Sequence, residues 1–104
     1  MLNTIRKLFT SSAKVDLHAL IQNGARIVDV RTESEYKQGH IKGSVNIPLG
    51  SLAQQVHRIN KQKPVITCCA SGMRSAQARN QLLSMGFDEV HNGGGWMSLQ
   101  KKIA

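Results

Sequence analysis

Two adjacent cysteines, Cys68 and Cys69, stand directly before the stretch Ala70-Ser71-Gly72-Met73-Arg74-Ser75. The apolar run Val65-Ile66-Thr67-Cys68 leads into them and reads as a buried strand. Ser75 starts a helix in which Ala78, Leu82 and Met85 share one face. A loop between a strand and a helix lies at the carboxyl edge of an open α/β sheet, where ligands bind in such folds. Gly72 lets the chain turn sharply. Successive amide N–H groups, with the following helix N-terminus, then form a nest for an anion. A thiol at the rim of that nest ionises readily, because the field stabilises the thiolate. Arg74 adds a permanent charge and a fork of donors suited to oxyanions. The chemistry described is a nucleophilic sulfur held where an anionic leaving group or covalent adduct is also stabilised. Cys69, first in the loop, is the expected nucleophile. Cys68, at the end of the apolar strand, is expected to be a small core residue.

The two thiols are not expected to form a structural disulfide, because Cα atoms one peptide apart sit ~3.8 Å from each other, short of the ~4.4–6.8 Å that bridges span. Free thiols fit a reducing compartment, so a cytoplasmic location is expected. Adjacent cysteines match no recognised metal-ligand interval with His18, His40, His57 or His91, and neither a metal nor a cofactor is expected. Net charge is +8, from 14 Lys and Arg against 6 Asp and Glu, which raises the local concentration of anions and speeds encounter with acidic partners. No zinc-finger spacing, RNA-binding aromatic signature or long basic helix accompanies the charge, so nucleic acid is not the expected partner. No apolar run approaches the ~20 residues of a membrane helix.

The elements that must position the loop follow from the punctuation. At 104 residues there is room for one domain, and with aromatics at 4% its core must rest on Ile, Val, Leu, Met and Ala. Residues 1–14 carry Arg6, Lys7 and Lys14 and no acid, and form a basic N-terminal segment expected to be a short helix or a tail. That composition also suits an organelle-targeting presequence. The domain itself is expected over residues 15–104. Asp16 caps a helix over Leu17, Leu20 and Ile21 that Asn23-Gly24 ends. Arg26 to Val30 and Val45 to Ile47 read as strands, the second stopped by Pro48. Between them, Thr32 and Glu35 have capping-box spacing for a helix through Lys37. Ser51 opens a further helix through Leu52, Val56 and Ile59. After the helix from Ser75, Gly86 is placed to terminate it in the left-handed conformation, with Phe87 as the apolar residue beyond. Glu89 to His91 is a last short strand, and a helical turn around Trp96 and Leu99 follows Gly93-Gly94-Gly95. Alternating strands and helices predict an α/β fold with a small parallel sheet flanked by helices on both faces.

Several segments together resemble the rhodanese homology family. Asp29-Val30-Arg31, Glu35, Gly39-His40-Ile41, Gly43-Ser44 and Asn46-Ile47-Pro48 are similar to the family's signature Asp-x-Arg, Glu, Gly-His-Ile-x-Gly-Ala-x-Asn-Ile-Pro. Cys69-x-x-Gly72-x-Arg74-Ser75 resembles its active-site loop, and Gly94-Gly95-Trp96 its late Gly-Gly and Trp region. The resemblance runs from about Val15 to Leu99. It implies a rhodanese-like fold and a single-domain sulfurtransferase. Cys69 would carry the persulfide, and the amides of Ala70, Ser71, Gly72, Met73 and Arg74 would cradle its outer sulfur. Asp29 and Arg31 would form a buried ionic pair bracing the loop, and His40 would belong to a structural turn. The implied partners are a small anionic sulfur donor or a persulfide-carrying protein, and a thiol, cyanide or protein acceptor. A monomer or weak homodimer is expected. Ala70 and Ser71 stand where members that use thiosulfate well often carry a basic residue, which favours a persulfide over thiosulfate as donor. The tryptophan also follows Gly95 immediately, earlier than in the family pattern.

Counted from Cys68, the same stretch reads Cys-x5-Arg, the loop length of phosphatases and arsenate reductases that share this fold. Thr67 then stands where those phosphatases usually have His, while counting from Cys69 puts Gly72 at its family position. A non-catalytic interaction module is a further reading, against which stands the presence of both Cys69 and Arg74. A redox pair of Cys68 and Cys69 is disfavoured by the strain of a vicinal disulfide.

Overall fold

Short β-branched runs alternating with capped helices pair in parallel, because each crossover helix returns the chain to the same end of the sheet. The computed structural model describes residues 15–104. The segment expected as a helix or tail over residues 1–14 lies outside the described residues. In chain order the elements are α1 (Leu17–Gln22), β1 (Arg26–Asp29), α2 (Glu33–Gln38), β2 (Val45–Asn46), a 3-10 turn (Leu49–Ser51), α3 (Leu52–Gln55), a second 3-10 turn (Val56–Arg58), β3 (Val65–Cys69), α4 (Met73–Ser84), β4 (Val90–Gly95) and α5 (Trp96–Ile103). The strand order is β2-β1-β3-β4, parallel at every pairing. No helix among the described residues is long and apolar enough to cross a membrane.

All five residues of β3 are buried, as a strand covered on both faces requires. On one face, Val28, Val65, Cys69, Ala78, Leu82 and Phe87 form part of the larger core cluster beneath α4. On the other, Ile27, Ile66, Cys68 and Leu99 pack with Leu17, Leu20 and Trp96 of α1 and α5. The period of two along β3 therefore sends the neighbouring thiols to opposite sides of the sheet.

The caps read from the sequence are present. Asp16 Oδ1 accepts from the Ala19 amide, and Thr32 and Glu35 make a reciprocal capping box. Gly86 has φ 96°, and the Phe87 amide bonds back to the Leu82 carbonyl, so the helix ends as expected. Several boundaries differ. The helix expected from Ser51 is broken into α3 between two 3-10 turns, with no side-chain cap at Ser51. β3 extends through Cys69, so the nucleophile candidate ends the strand rather than opening the loop. α4 starts at Met73, two residues before the predicted start. β4 runs on through Gly95, and α5 spans eight residues rather than a turn.

Candidate active site

Cys69 sits at the carboxyl end of the central strand, 1% exposed, with its side chain under the first turn of α4. Gly72, at φ 110° and ψ −13°, is the N-cap of α4 and turns the chain within three residues. That backbone region is strained for a residue with a Cβ and open to glycine. The turn aims two amides at the sulfur. Gly72 N–H donates to Cys69 Sγ at 3.0 Å and Ser75 N–H donates at 3.3 Å. The thiol in turn donates to Ser75 Oγ at 3.4 Å. Burial opposes ionisation of Cys69, but the Ser75 hydroxyl and the Ser75, Gly72 and Ser71 amides outweigh it and hold the thiol below its ordinary pKa. Cys68 is the reverse case. Burial among apolar side chains, reinforced by the neighbouring Asp29 carboxylate, pushes its thiol well above the ordinary value.

Arg74 departs from the expected oxyanion fork. Its guanidinium donates to both carboxylate oxygens of Glu35, at 2.7 and 3.0 Å. Arg74 holds the Glu35 carboxyl down to about 2, helped by the Thr32 amide. Asp29 and Arg31 form the buried pair that was expected, with Nε and Nη2 of Arg31 donating to the carboxylate at 2.8 to 3.1 Å. Neither touches the loop by hydrogen bond among the described residues. Arg31 instead donates to the carbonyls of Glu35 and Gly39, at 3.3 and 2.7 Å, and its guanidinium lies 4.8 Å over the Trp96 ring. The pair connects to Arg74 only through a chain of contacts: Asp29 holds Arg31, Arg31 bonds the Glu35 carbonyl of α2, and the Glu35 carboxylate holds Arg74.

β4 supplies a part of the site that the sequence reading missed. The ladder pairs Thr67 with Asn92 and Cys69 with Gly95, so one extra residue bulges between them. Asn92 then meets Ser75, whose hydroxyl donates to Asn92 Oδ1 at 2.6 Å. Gly93 lies so close to β3 that a Cβ there would stand 2.8 Å from Ile66 Cγ2, Leu99 Cδ2 and the Thr67 carbonyl. The run of glycines after a strand was the available signal, since it marks close backbone approach.

Ala70, Ser71 and Met73 are exposed on the loop, none of them charged. Met73 of α4 and Met97 of α5 are the large apolar residues left exposed among the described residues, at 76% and 63%. His40 and His91 have partners of their own other than Cys69. His40 Nδ1 is 2.7 Å from the Tyr36 carbonyl with its ring stacked on Tyr36, and His91 pairs with Glu89 at 2.8 Å. Among the described residues, no three His, Cys, Asp or Glu side chains gather as a metal site would require.

A family model described as Rhodanese-like domain matches residues 13–102. The chain belongs to the rhodanese-like domain family. Thiosulfate sulfurtransferase GlpE of Pseudomonas fluorescens (strain SBW25) is 33% identical over 81 residues, covering 78% of this chain and 74% of that protein. Protein YqhL of Bacillus subtilis (strain 168), uncharacterised, is 40% identical over 68 residues, and the match spans 65% of this chain and 54% of that protein's length. Among solved structures, a rhodanese-related protein from Thermoplasma volcanium superposes with a TM-score of 0.72 at 32% identity, over 84% of this chain and 86% of that one. The rhodanese-like fold expected from the signature segments is the fold observed.

Proposed function

We propose that this rhodanese-like chain is a sulfurtransferase that carries sulfane sulfur as a persulfide on Cys69. The observation that carries the reading is the convergence of the Gly72 and Ser75 amides on Cys69 Sγ, in a loop whose next side chains are small and neutral. In the first half-reaction the Cys69 thiolate attacks the sulfane sulfur of a donor. The new S–S bond forms as the donor's bond breaks, and its electron pair leaves with a thiolate or with sulfite. In the second, a thiol, cyanide or acceptor protein attacks the outer sulfur, and Cys69 departs as the thiolate that began the cycle. Electrons balance between donor and acceptor, and no proton donor is needed for leaving groups of this stability. The amides of Ala70 through Arg74 are assigned to the persulfide's outer sulfur, in keeping with an anion nest.

A persulfide is favoured over thiosulfate as donor because Arg74 is paired with Glu35 and no loop side chain offers a second cation. Relatives named thiosulfate sulfurtransferases support the reaction class. The Cys-x5-Arg reading from Cys68 finds no support in the geometry, since that thiol packs with Ile27, Ile66 and Leu99 on the far face of the sheet. The test is intact mass after brief exposure to a small persulfide or thiosulfate. A gain of one sulfur, ~32 Da, reversed by cyanide and lost in Cys69→Ser but kept in Cys68→Ser, is expected for nucleophilic catalysis at Cys69. No gain, or a gain that follows Cys68, overturns the reading.

A further inference from the structure

The Ser75 hydroxyl is surrounded by more acceptors than it has protons. Asn92 Oδ1 lies at 2.6 Å, the Gly72 carbonyl at 3.1 Å and Cys69 Sγ at 3.4 Å. The amide orientation of Asn92 is set independently, because the Gly94 N–H donates to Oδ1 at 2.9 Å while Nδ2 donates to the Gly72 carbonyl at 3.4 Å. Oδ1 therefore accepts the hydroxyl proton, and a lone pair of Ser75 Oγ faces the thiol, which donates to it. That arrangement suits a neutral Cys69. A thiolate in its place meets an oxygen lone pair until the hydroxyl turns its proton to the sulfur, and it is by that turn, which gives up its shortest bond, that Ser75 Oγ favours ionisation of Cys69.

We infer that Asn92 is a positioning residue that sets how readily Cys69 ionises, by competing with the sulfur for the single proton of Ser75 Oγ. The inference rests on Cys69 as nucleophile but not on sulfur transfer itself. Ionised or ionisable groups about Cys69 come from every neighbouring element: Arg74 of α4, Glu35 of α2, Asp29 of β1 with Arg31 just beyond it, and Cys68 of β3. Arg74 and Arg31 each face a carboxylate, so these charges are matched in pairs. β4 pairs with Cys69 through Gly95 and reaches Ser75 through Asn92, both uncharged, and His91 is paired with Glu89. The hydroxyl proton is thus the local variable that an uncharged substitution can change. Ping-pong sulfur transfer gives such a device a use. The thiolate is needed for attack, and the same sulfur must leave again when the persulfide is discharged, so an overly stabilised thiolate would be a poor nucleophile.

The experiment measures the pH midpoint of Cys69 alkylation by iodoacetamide, with the label assigned by fragment mass spectrometry and folding checked by thermal unfolding. In Asn92→Ala the hydroxyl loses its shortest acceptor and is left between the Gly72 carbonyl and the sulfur, of which the ionised sulfur is the stronger acceptor. The ionisation constant should rise roughly three- to tenfold, the scale of one net hydrogen bond, lowering the midpoint by about half to one pH unit. In a Ser75→Ala background the same substitution should leave the midpoint in place. Asn92→Asp keeps the acceptor for Gly94 and strengthens it for Ser75. It should raise the midpoint, and by more with Ser75 present than with Ser75→Ala. An unchanged or raised midpoint in Asn92→Ala, or shifts of equal size in both backgrounds, overturns the inference. Failure of sulfur loading with these midpoints as expected would count against the proposed reaction and leave the role of Asn92 standing.

Discussion

Glu35 and Arg74, 39 residues apart in the chain, form a two-point ion pair at 2.7 and 3.0 Å that ties α2 to the first turn of α4. The same Glu35 carboxylate accepts from the Thr32 amide at 3.0 Å, so one side chain closes its own helix and holds the arginine of the loop. Both partners are about one-third exposed. The pair is therefore screened by solvent, and its main effect is to orient Arg74 and cancel its charge.

Glu35→Gln keeps an acceptor for the capping box and removes the charge opposite Arg74. The carboxyl lies at about 2 in the fold against an ordinary 4.5, so its contribution to stability is complete above pH 4.5 and is lost as the pH falls through 2. Thermal unfolding of wild type and Glu35→Gln should differ above pH 4.5 and converge toward pH 2. With Arg74 released, the KM for thiosulfate should fall while kcat changes little.

Asp29→Asn should be far more damaging. Asp29 is fully buried and Arg31 is 4% exposed, so the change leaves a guanidinium in the core without its counter-ion. Breaking one side of such a pair costs about 3–5 kcal/mol, which urea unfolding should report as a lower midpoint. Sulfur loading of the protein that remains folded should persist, because Asp29 does not touch the sulfur.

Gly72→Ala tests the turn. A Cβ at φ 110° is strained, and the Gly72 amide is the one that reaches Cys69 Sγ at 3.0 Å. Loss of about 1–2 kcal/mol of stability is expected from the left-handed backbone. The alkylation midpoint of Cys69 should rise at the same time, because an amide that stabilises the thiolate has moved.

Met73→Lys tests the neutral rim. Met73 is 76% exposed at the first position of α4, so a lysine there meets no steric obstacle. The KM for thiosulfate should drop by roughly three- to tenfold at low salt. Most of that gain should disappear in 1 M salt, where the screening length is about 3 Å. A gain indifferent to salt would point to altered loop shape instead of charge.

What the sequence determined by itself is what neighbouring residues decide. β-branched runs between polar turns located β1 and β3, Thr32 and Glu35 closed a capping box, and Gly86 ended α4, each within about four residues of chain. Cys68 was legible as a core residue because it ends an apolar run, but that the two thiols face opposite sides of the sheet follows from β3 running on through Cys69. Ser75 misled the reading of the helix start. Its hydroxyl suits an N-cap, but Gly72 occupies that position with no side-chain cap, and the hydroxyl is turned to Asn92 and Cys69. Three relationships were left to the tertiary structure: Glu35 with Arg74, Arg31 with Gly39 and Trp96, and Asn92 with Ser75. Each joins residues from different elements, and which side chains meet depends on strand register and, for Asn92, on the extra residue that bulges in β4 between Asn92 and Gly95. A charge such as Arg74 announces its chemistry in sequence, but whether it faces a substrate or a carboxylate is decided only when α2 is packed beside it.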